Sequence, residues 1–277
     1  MFQNSCLRKF ILVKFAVRCY FYLSRSDDFY KRILPFLMST ISERIATIQN
    51  NIASACERVN RDPGEVKIVV VTKSAEIEAM KEMLTLGFSE FGENRVQRLK
   101  SVSVEMAEFL KSQPQGAGLP EFVKWHMIGH LQRNKAKAVL ALANVVHSVD
   151  TLRLAEEINS IGEKSGTCAS VLMQVNASNE PQKYGVPVGA VTHLAEQINT
   201  MPHISLTGLM TMAPMTGDER RVRSCFVRTR ELFAELKGER IVGPKFTELS
   251  MGMSNDYEIA VEEGATLLRL GSAIFKS

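Results

Sequence analysis

The sequence predicts an α/β protein, a (β/α)8 TIM-type barrel preceded by one extra N-terminal helix. Two observations support this fold. Short apolar runs of strand length alternate with stretches of helical periodicity along most of the 277 residues. The first run, KIVVVTK at 67–73, is rich in β-branched residues and lacks polar alternation, which is typical of a parallel strand covered on both faces. A length near 250 residues also suits a single barrel.

The elements follow in a regular order. A helix is predicted over Ser39 to Asn60, where isoleucines recur at helical spacing and Asp62-Pro63-Gly64 ends the periodic stretch. Eight strands alternate with helices, which implies parallel pairing, and closing them into a barrel leaves no strand edge exposed. An open doubly wound sheet is the alternative. The predicted strands cover 67–73, 90–92, 124–129, 145–149, 169–175, 206–212, 246–250 and 266–270, and the helices between them cover 76–86, 94–111, 133–143, 151–164, 187–200, 218–237 and 255–263.

Residues 1–37 do not share this pattern. They hold seven basic and two acidic side chains and nine of the 20 aromatic residues. Their apolar stretch is interrupted by Lys14 and Arg18, so it is a poor membrane span. We predict that Met38 is the true start and that residues 38–277 form a single domain; a mitochondrial transit peptide is the alternative.

The charge of the remaining chain argues against a polyanionic partner. Without residues 1–37 the net charge is −1, so we expect neither a nucleic-acid-binding nor a membrane-binding surface. The five cysteines show no CxxC pair, which favours a reducing compartment and a cytoplasmic location. Cys168 and Cys225 are interpreted as buried small apolar residues.

The histidine pair in WHMIGH does not indicate a metal site. His126 and His130 are four residues apart, but the segment is predicted to be a strand, and neither a third histidine nor a carboxylate is close in sequence. We expect His126 to pack inside the barrel and His130, at the strand end, to line the site. Motifs for triphosphate binding, dinucleotide binding, zinc proteases and serine hydrolases are absent from the sequence.

Lys73 lies at the end of the first strand, where barrels carry their functional groups. An ammonium there either extends to solvent or faces a partly desolvated mouth, where its pKa would fall and the neutral amine could attack a carbonyl. The loops after the last two strands, with Ser254 and with Gly271-Ser272, supply small residues and backbone N–H groups suited to phosphate. A plain helix cap would explain either loop alone.

Several specific motifs follow one another in order over residues 38–277. They are VVVTK ending at Lys73, GENRVQ at 92–97, WHMIGHLQRNK at 125–135, SVD at 148–150, KYG at 183–185, GLMTM at 208–212, LSMGMSND at 249–256 and RLGSAIF at 269–275. Together they resemble the pyridoxal-phosphate homeostasis protein family. The sequence departs from the commoner family pattern at Ser74-Ala75, where lysine or threonine and then proline are frequent, and at Ser272, where threonine is usual.

This resemblance implies an alanine-racemase-like barrel in which Lys73 holds pyridoxal 5'-phosphate as a Schiff base. It also implies that Asn94 lies near the cofactor ring, that Arg269 approaches the pyridine nitrogen, and that serines and glycine of the last two loops surround the phosphate. The predicted cofactor-binding residues are Lys73, Asn94, His130, Met210, Thr211, Ser250, Met253, Ser254, Arg269, Gly271 and Ser272.

The resemblance implies a carrier that stores, protects or delivers pyridoxal phosphate, with apo-enzymes as recipients, and we expect a monomer or weak dimer. A racemase-like enzyme is the alternative. Racemases of this type take a second acid/base tyrosine from a further β domain, and because the sequence ends at Ser277, we expect a carrier. A phosphate-binding barrel that uses no pyridoxal is the third reading.

Overall fold

Within residues 40–114 and 117–276, which the computed structural model describes, helices and parallel strands alternate as predicted. The predicted extension 1–37 and the predicted start at Met38 lie outside the described residues. The strands are β1 Lys67–Val71, β2 Glu90–Glu93, β3 Lys124–Met127, β4 Val145–Val149, β5 Ala169–Asn176, β6 Val186–Pro187, β7 Ile204–Met210, β8 Glu248–Ser250 and β9 Leu267–Leu270. The helices are α1 Ile41–Arg58, α2 Ile77–Thr85, α3 Val96–Ser112, α4 Ala136–Leu140, α5 Leu152–Ser165, α6 Val191–Asn199, α7 Glu219–Gly238, α8 Tyr257–Glu262 and α9 Ser272–Phe275.

Eight of these strands close into a barrel, which confirms the predicted fold and excludes the open sheet. The hydrogen-bonded order is β4-β3-β2-β1-β9-β8-β7-β5, and β4 also pairs with β5. All pairings are parallel, so every strand ends at the same mouth. The short β6 only extends the end of β5.

The extra N-terminal helix is the predicted one. Thr40 caps α1 through a capping box, in which the Thr40 hydroxyl accepts from the Glu43 N–H and the Glu43 carboxylate accepts from the Thr40 N–H. The helix packs against α8, and the Asn51 amide donates to the Tyr257 hydroxyl at 2.8 Å.

The apolar core has two parts. The larger part lies between the strands and the surrounding helices. The smaller part joins residues from five different strands inside the barrel, namely Val69, Val145, Leu172, Met210 and Leu267. Met210, predicted to touch the cofactor, is therefore a fully buried member of the barrel interior.

Some local predictions were wrong. Cys225 is buried as expected, but Cys168 is exposed because it lies in the turn between α5 and β5. Residues 74–75 belong to a turn, and α2 begins at Ile77, one residue after the predicted start at 76. No helix in the described part of the chain is long and apolar enough to cross a membrane.

Candidate functional site

Lys73 sits on a turn directly after β1, and the turn is held rigidly from one side by Arg98. The Arg98 guanidinium donates to the carbonyl oxygen of Thr72 at 3.0 and 3.2 Å and to that of Ala75 at 2.5 Å. Lys73 is exposed and has no hydrogen bond or ion pair among the residues that the structure describes. The backbone is thus fixed while the amine stays available.

Glu93, at the end of β2, anchors the same turn. Its carboxylate accepts from the Thr72 hydroxyl at 2.6 Å and from Arg98 Nε at 3.2 Å. Burial raises the pKa of Glu93, although Thr72 and Arg98 oppose that shift. Its second oxygen is buried without a hydrogen-bond partner among the described residues, so the carboxyl is incompletely satisfied.

Asn94 follows Glu93 and touches the end of the next strand. A Cβ atom at Gly129 would lie 2.2 Å from the Asn94 carbonyl oxygen, so only glycine allows this approach. Gly129 thereby fixes the backbone of the exposed Asn94 at the barrel mouth.

His130 lies beyond Gly129 in a small cluster on the rim. Its ring stacks on the Tyr184 ring with centroids 4.0 Å apart, and its Nδ1 lies 3.6 Å from Asp150 Oδ2. Burial raises the pKa of Asp150, although His130 opposes that shift. The cluster brings together an imidazole, a phenol and a carboxyl from the ends of three strands.

Arg269 is the most deeply buried cation of the site. It is 4% exposed, and its guanidinium donates to the Ser250 hydroxyl at 2.6 Å and to the Thr211 carbonyl at 2.8 Å. Both acceptors are neutral, and no carboxylate of the described residues forms an ion pair with it. Burial lowers its pKa to about 10, which still leaves the guanidinium charged at neutral pH.

A chain of buried polar groups continues from Ser250 through the barrel interior. His147 Nδ1 lies 3.1 Å from Ser250 Oγ, and His147 Nε2 lies 2.8 Å from His126 Nδ1. His126 Nε2 lies 2.9 Å from the carboxylate of Glu90. At the bottom of the barrel Glu90 also pairs with Lys124.

The chemistry of each group determines which one donates and which one accepts along this series of hydrogen bonds. The Arg269 guanidinium can only donate, so Ser250 accepts from it and can give its own proton to His147. A neutral His147 can then donate through Nε2 to His126, whose remaining N–H faces Glu90. Burial lowers the pKa of both histidines, which favours the neutral forms that this order requires.

Glu90 is the last group in this series of polar contacts, and it is an anion. Burial alone would raise its pKa, but the neighbouring His126 and Lys124 outweigh burial and lower it to about 2. The buried chain therefore joins a carboxylate at one end of the barrel to a guanidinium at the mouth.

The loops after β8 and β9 are tied together by Ser254. Its hydroxyl oxygen accepts from the N–H of Ala273 at 3.0 Å and from that of Gly271 at 3.5 Å. Its own hydroxyl proton remains available to another acceptor. Gly252, with φ +93°, supplies the left-handed turn that starts the β8 loop.

Asp256 stands at the N-cap position of α8, and its carboxylate accepts from the Met253 N–H. Ser272 is exposed at the start of α9.

The structure brings most predicted site residues to the barrel mouth. The loops at the carboxyl ends of the strands hold Lys73, Asn94, His130, Met253, Ser254 and Gly271, and Ser272 begins α9 at the same mouth. Thr211 contributes its carbonyl, which accepts from Arg269, because its hydroxyl already donates to the Val175 carbonyl at 2.9 Å. Ser250 is fully buried behind Arg269.

Sequence reasoning missed Arg98, His147 and the Tyr184 ring as members of this site. No local sequence signal marks His147, because its partners His126 and Ser250 lie on other strands. No clear sequence signal marks Arg98, since it is one of several cations on α3.

A closed parallel barrel with a free lysine at the mouth, a buried arginine and serine-containing loops after its last two strands defines a racemase-type barrel. The sequence matches the model of the alanine racemase N-terminal domain over residues 44–277. It is 36% identical over 233 residues to the pyridoxal phosphate homeostasis protein of Aquifex aeolicus, covering 84% of this chain and 96% of that protein. The chain belongs to the pyridoxal phosphate homeostasis protein family, as the sequence motifs predicted.

Solved structures agree with this assignment. PipY from Synechococcus elongatus PCC7942, solved with PLP bound, superposes with a TM-score of 0.71 at 30% identity, covering 85% of this chain and 100% of that one. An alanine racemase from Clostridium difficile superposes with a TM-score of 0.61 over 86% of this chain and 55% of its own, at 16% identity, and so shares the fold.

Proposed function

We propose that this protein binds pyridoxal 5'-phosphate at the barrel mouth and acts in cofactor homeostasis by storing, protecting or delivering it. The observation that carries the proposal is Lys73, an unpaired amine on a turn fixed by Arg98 and Glu93. The PLP-bound relative PipY and the names of the curated relatives support the same cofactor.

The described residues fit this cofactor group by group. Lys73 supplies the amine for a Schiff base, and Asn94 flanks it on the β2 side. The Ser254 hydroxyl, held in place by the N–H groups of Gly271 and Ala273, keeps its proton available for an oxygen of a phosphate dianion. Met253 and Ser272 lie in the same two loops.

The buried hydrogen-bond series that ends at Arg269 bears on how this site would treat the cofactor ring. When bound, pyridoxal phosphate supplies an aldehyde that condenses with primary amines. Arg269 is a hydrogen-bond donor at neutral pH, so a ring nitrogen beside it would remain unprotonated. An unprotonated ring stabilises a carbanion poorly, which favours exchange of the aldehyde between amines over turnover of amino acids.

Lys73 is tested by borohydride reduction of the pyridoxal-phosphate-loaded protein followed by peptide mass mapping. We expect the pyridoxyl adduct on Lys73, and Lys73→Ala should abolish it without lowering the melting temperature. Lys100→Ala, which removes an exposed lysine from α3, is the matched control and should keep the adduct. An adduct on another lysine with Lys73 unmodified would refute the assignment.

A racemase-like activity is the second candidate, and the rim cluster of His130, Asp150 and Tyr184 is the observation that favours it, because it places titratable groups beside the mouth. Loaded protein incubated with L-amino acids in deuterated water distinguishes the two. We expect release of cofactor to amines and apo-enzymes with negligible Cα exchange. Exchange at ordinary enzymatic rates, about 1 to 10³ per second, would overturn the carrier function.

A further inference from the structure

A second cavity lies on the rim of the barrel, outside the Lys73 site. It measures about 470 Å³ and lies between the loop after β5, the loop after β7 and the first turns of α7. This volume falls within the range of small-molecule sites. Its polar lining consists of Arg220, Arg221, Arg228, Ser178, Asn179 and Ser224.

The arginines of α7 divide into two sets. Arg223 pairs with Glu262 and Glu263, and Arg230 pairs with Glu263, so these two cations are neutralised by α8 and the residue after it. Arg220 and Arg221 form no ion pair among the described residues, and Arg228 has only an exposed contact of 3.7 Å with Glu231. The arginines with no counter-charge or only this weak, exposed one are those that line the cavity.

No acidic side chain is among the described residues that line this cavity. Glu180 is close enough to sense the charge of Arg221, but its carboxylate already pairs with Lys183. Like charges that lie close together without counter-charges repel one another and destabilise the folded state. An anionic ligand bound among these arginines would relieve that repulsion.

The helical spacing places these groups together. Arg220, Ser224 and Arg228 recur every four residues and therefore share one face of α7, with the two arginines about 12 Å apart along the axis. A smaller cavity of about 380 Å³ shares these three residues, but Glu231 also lines it, so the larger cavity is the better anion site. Its three arginines suit a ligand with more than one anionic group.

The cavity walls are fixed by contacts of their own. Lys183 Nζ, from the loop after β5, donates to the carbonyl of Ala213 in the loop after β7 at 3.0 Å. Asn176 donates to the Glu180 carbonyl at 2.9 Å and so closes the β5 loop. The guanidinium groups therefore face a preformed wall.

We propose that this cavity binds a small molecule carrying two or more phosphate charges, at a site separate from the one built around Lys73. Guanidinium groups bind phosphate oxygens in pairs, and the Ser and Asn side chains add neutral donors. The two sites are neighbours, because Cys225 lines the cavity and its Sγ lies 3.8 Å from the Thr211 hydroxyl, while the Thr211 carbonyl holds Arg269.

Inorganic pyrophosphate is the probe, titrated by calorimetry into protein already loaded with pyridoxal phosphate. Loading fills the Lys73 site, and the cofactor absorption is followed throughout. We expect one binding event that leaves this absorption unchanged. The double variant Arg220→Gln/Arg228→Gln should weaken it by at least about tenfold, since each charged hydrogen bond to phosphate contributes about that factor.

The control variant Arg153→Gln/Lys164→Gln removes two exposed cations from α5 and lowers the net charge equally. It should bind pyrophosphate as the unmodified protein does. Equal weakening in both double variants, or no binding to the unmodified protein, would overturn the proposal. If the cofactor fails to load, the same titration still tests the cavity, so the two proposals fail independently.

Discussion

Arg98 controls the shape of the lysine turn through three acceptors on two different segments. We predict that Arg98→Ala lowers the free energy of unfolding by about 2 kcal/mol, because it deprives the buried Glu93 of its cation and two carbonyls of their donor. Cofactor occupancy should fall as well. Urea unfolding and the borohydride-trapped adduct measure both effects, and Arg98→Lys should lie between the two proteins. Full stability and full occupancy in Arg98→Ala would contradict this role.

His147 makes the protein sensitive to mild acid. Burial lowers its pKa well below the ordinary value, so the folded protein keeps it neutral while the unfolded chain binds a proton below about pH 6.5. Its contribution to stability is therefore present above that pH and is lost as the pH falls. Between pH 7.5 and 5.5 this loss is on the order of 1 kcal/mol for one histidine.

We predict that His147→Gln reduces the loss of unfolding free energy between these two pH values by about that amount. The glutamine amide does not titrate but still offers a donor and an acceptor to the neighbouring His126 and Ser250. Urea unfolding at each pH measures it, and His193→Gln, at an exposed position of α6, is the control. An unchanged pH dependence in His147→Gln would show that His147 is not the responsible group.

The positions of individual site residues could be predicted where a single short segment of the sequence marks them. The place of Lys73, just after the first strand, follows from a run of seven residues, and the serine-glycine loops stand close together near the end of the sequence. His147 and Arg98 could not be predicted in this way, because their partners are distant: 103 residues separate His147 from Ser250, and 26 separate Arg98 from Thr72. Such contacts depend on barrel closure rather than on local pattern.

The strand ends of β2 and β3 meet at Gly129, where the two elements approach too closely for any side chain. Gly129→Ala would place Cβ 2.2 Å from the Asn94 carbonyl, so β3 or the loop after β2 must shift. We predict a loss of about 2 kcal/mol in the free energy of unfolding and weaker cofactor binding. Gly189→Ala, whose Cβ would meet nothing within 4 Å, should be neutral by comparison. Similar melting temperatures for the two variants would contradict the packing argument.

At the level of elements, alternation along the sequence predicted all eight barrel strands and the helix between each pair, mostly within two or three residues. It failed for β6 and α9. These have two and four residues, and β6 exists only because it pairs with the end of β5. Elements this short carry no periodicity of their own, so tertiary contacts define them.

For the whole molecule, we predict that protein beginning at Met38 matches the full chain in melting temperature and in cofactor occupancy. The capping box at Thr40 and Glu43 completes the first turn of α1 without any upstream residue. Thermal unfolding and the absorption of bound cofactor provide the comparison. A marked loss in either quantity would show that residues 1–37 belong to the fold.

Closure of the barrel joins the two ends of the described chain, since Lys67 of β1 lies beside Leu267 of β9. On a ribosome that adds about 5 to 20 residues per second, the first strand must therefore wait about 10 to 40 seconds before its final neighbour is synthesised. During that interval β1 has an unpaired edge, and α1 lacks α8 against which it packs. The nascent protein therefore exposes one edge of its earliest strand until translation is almost complete.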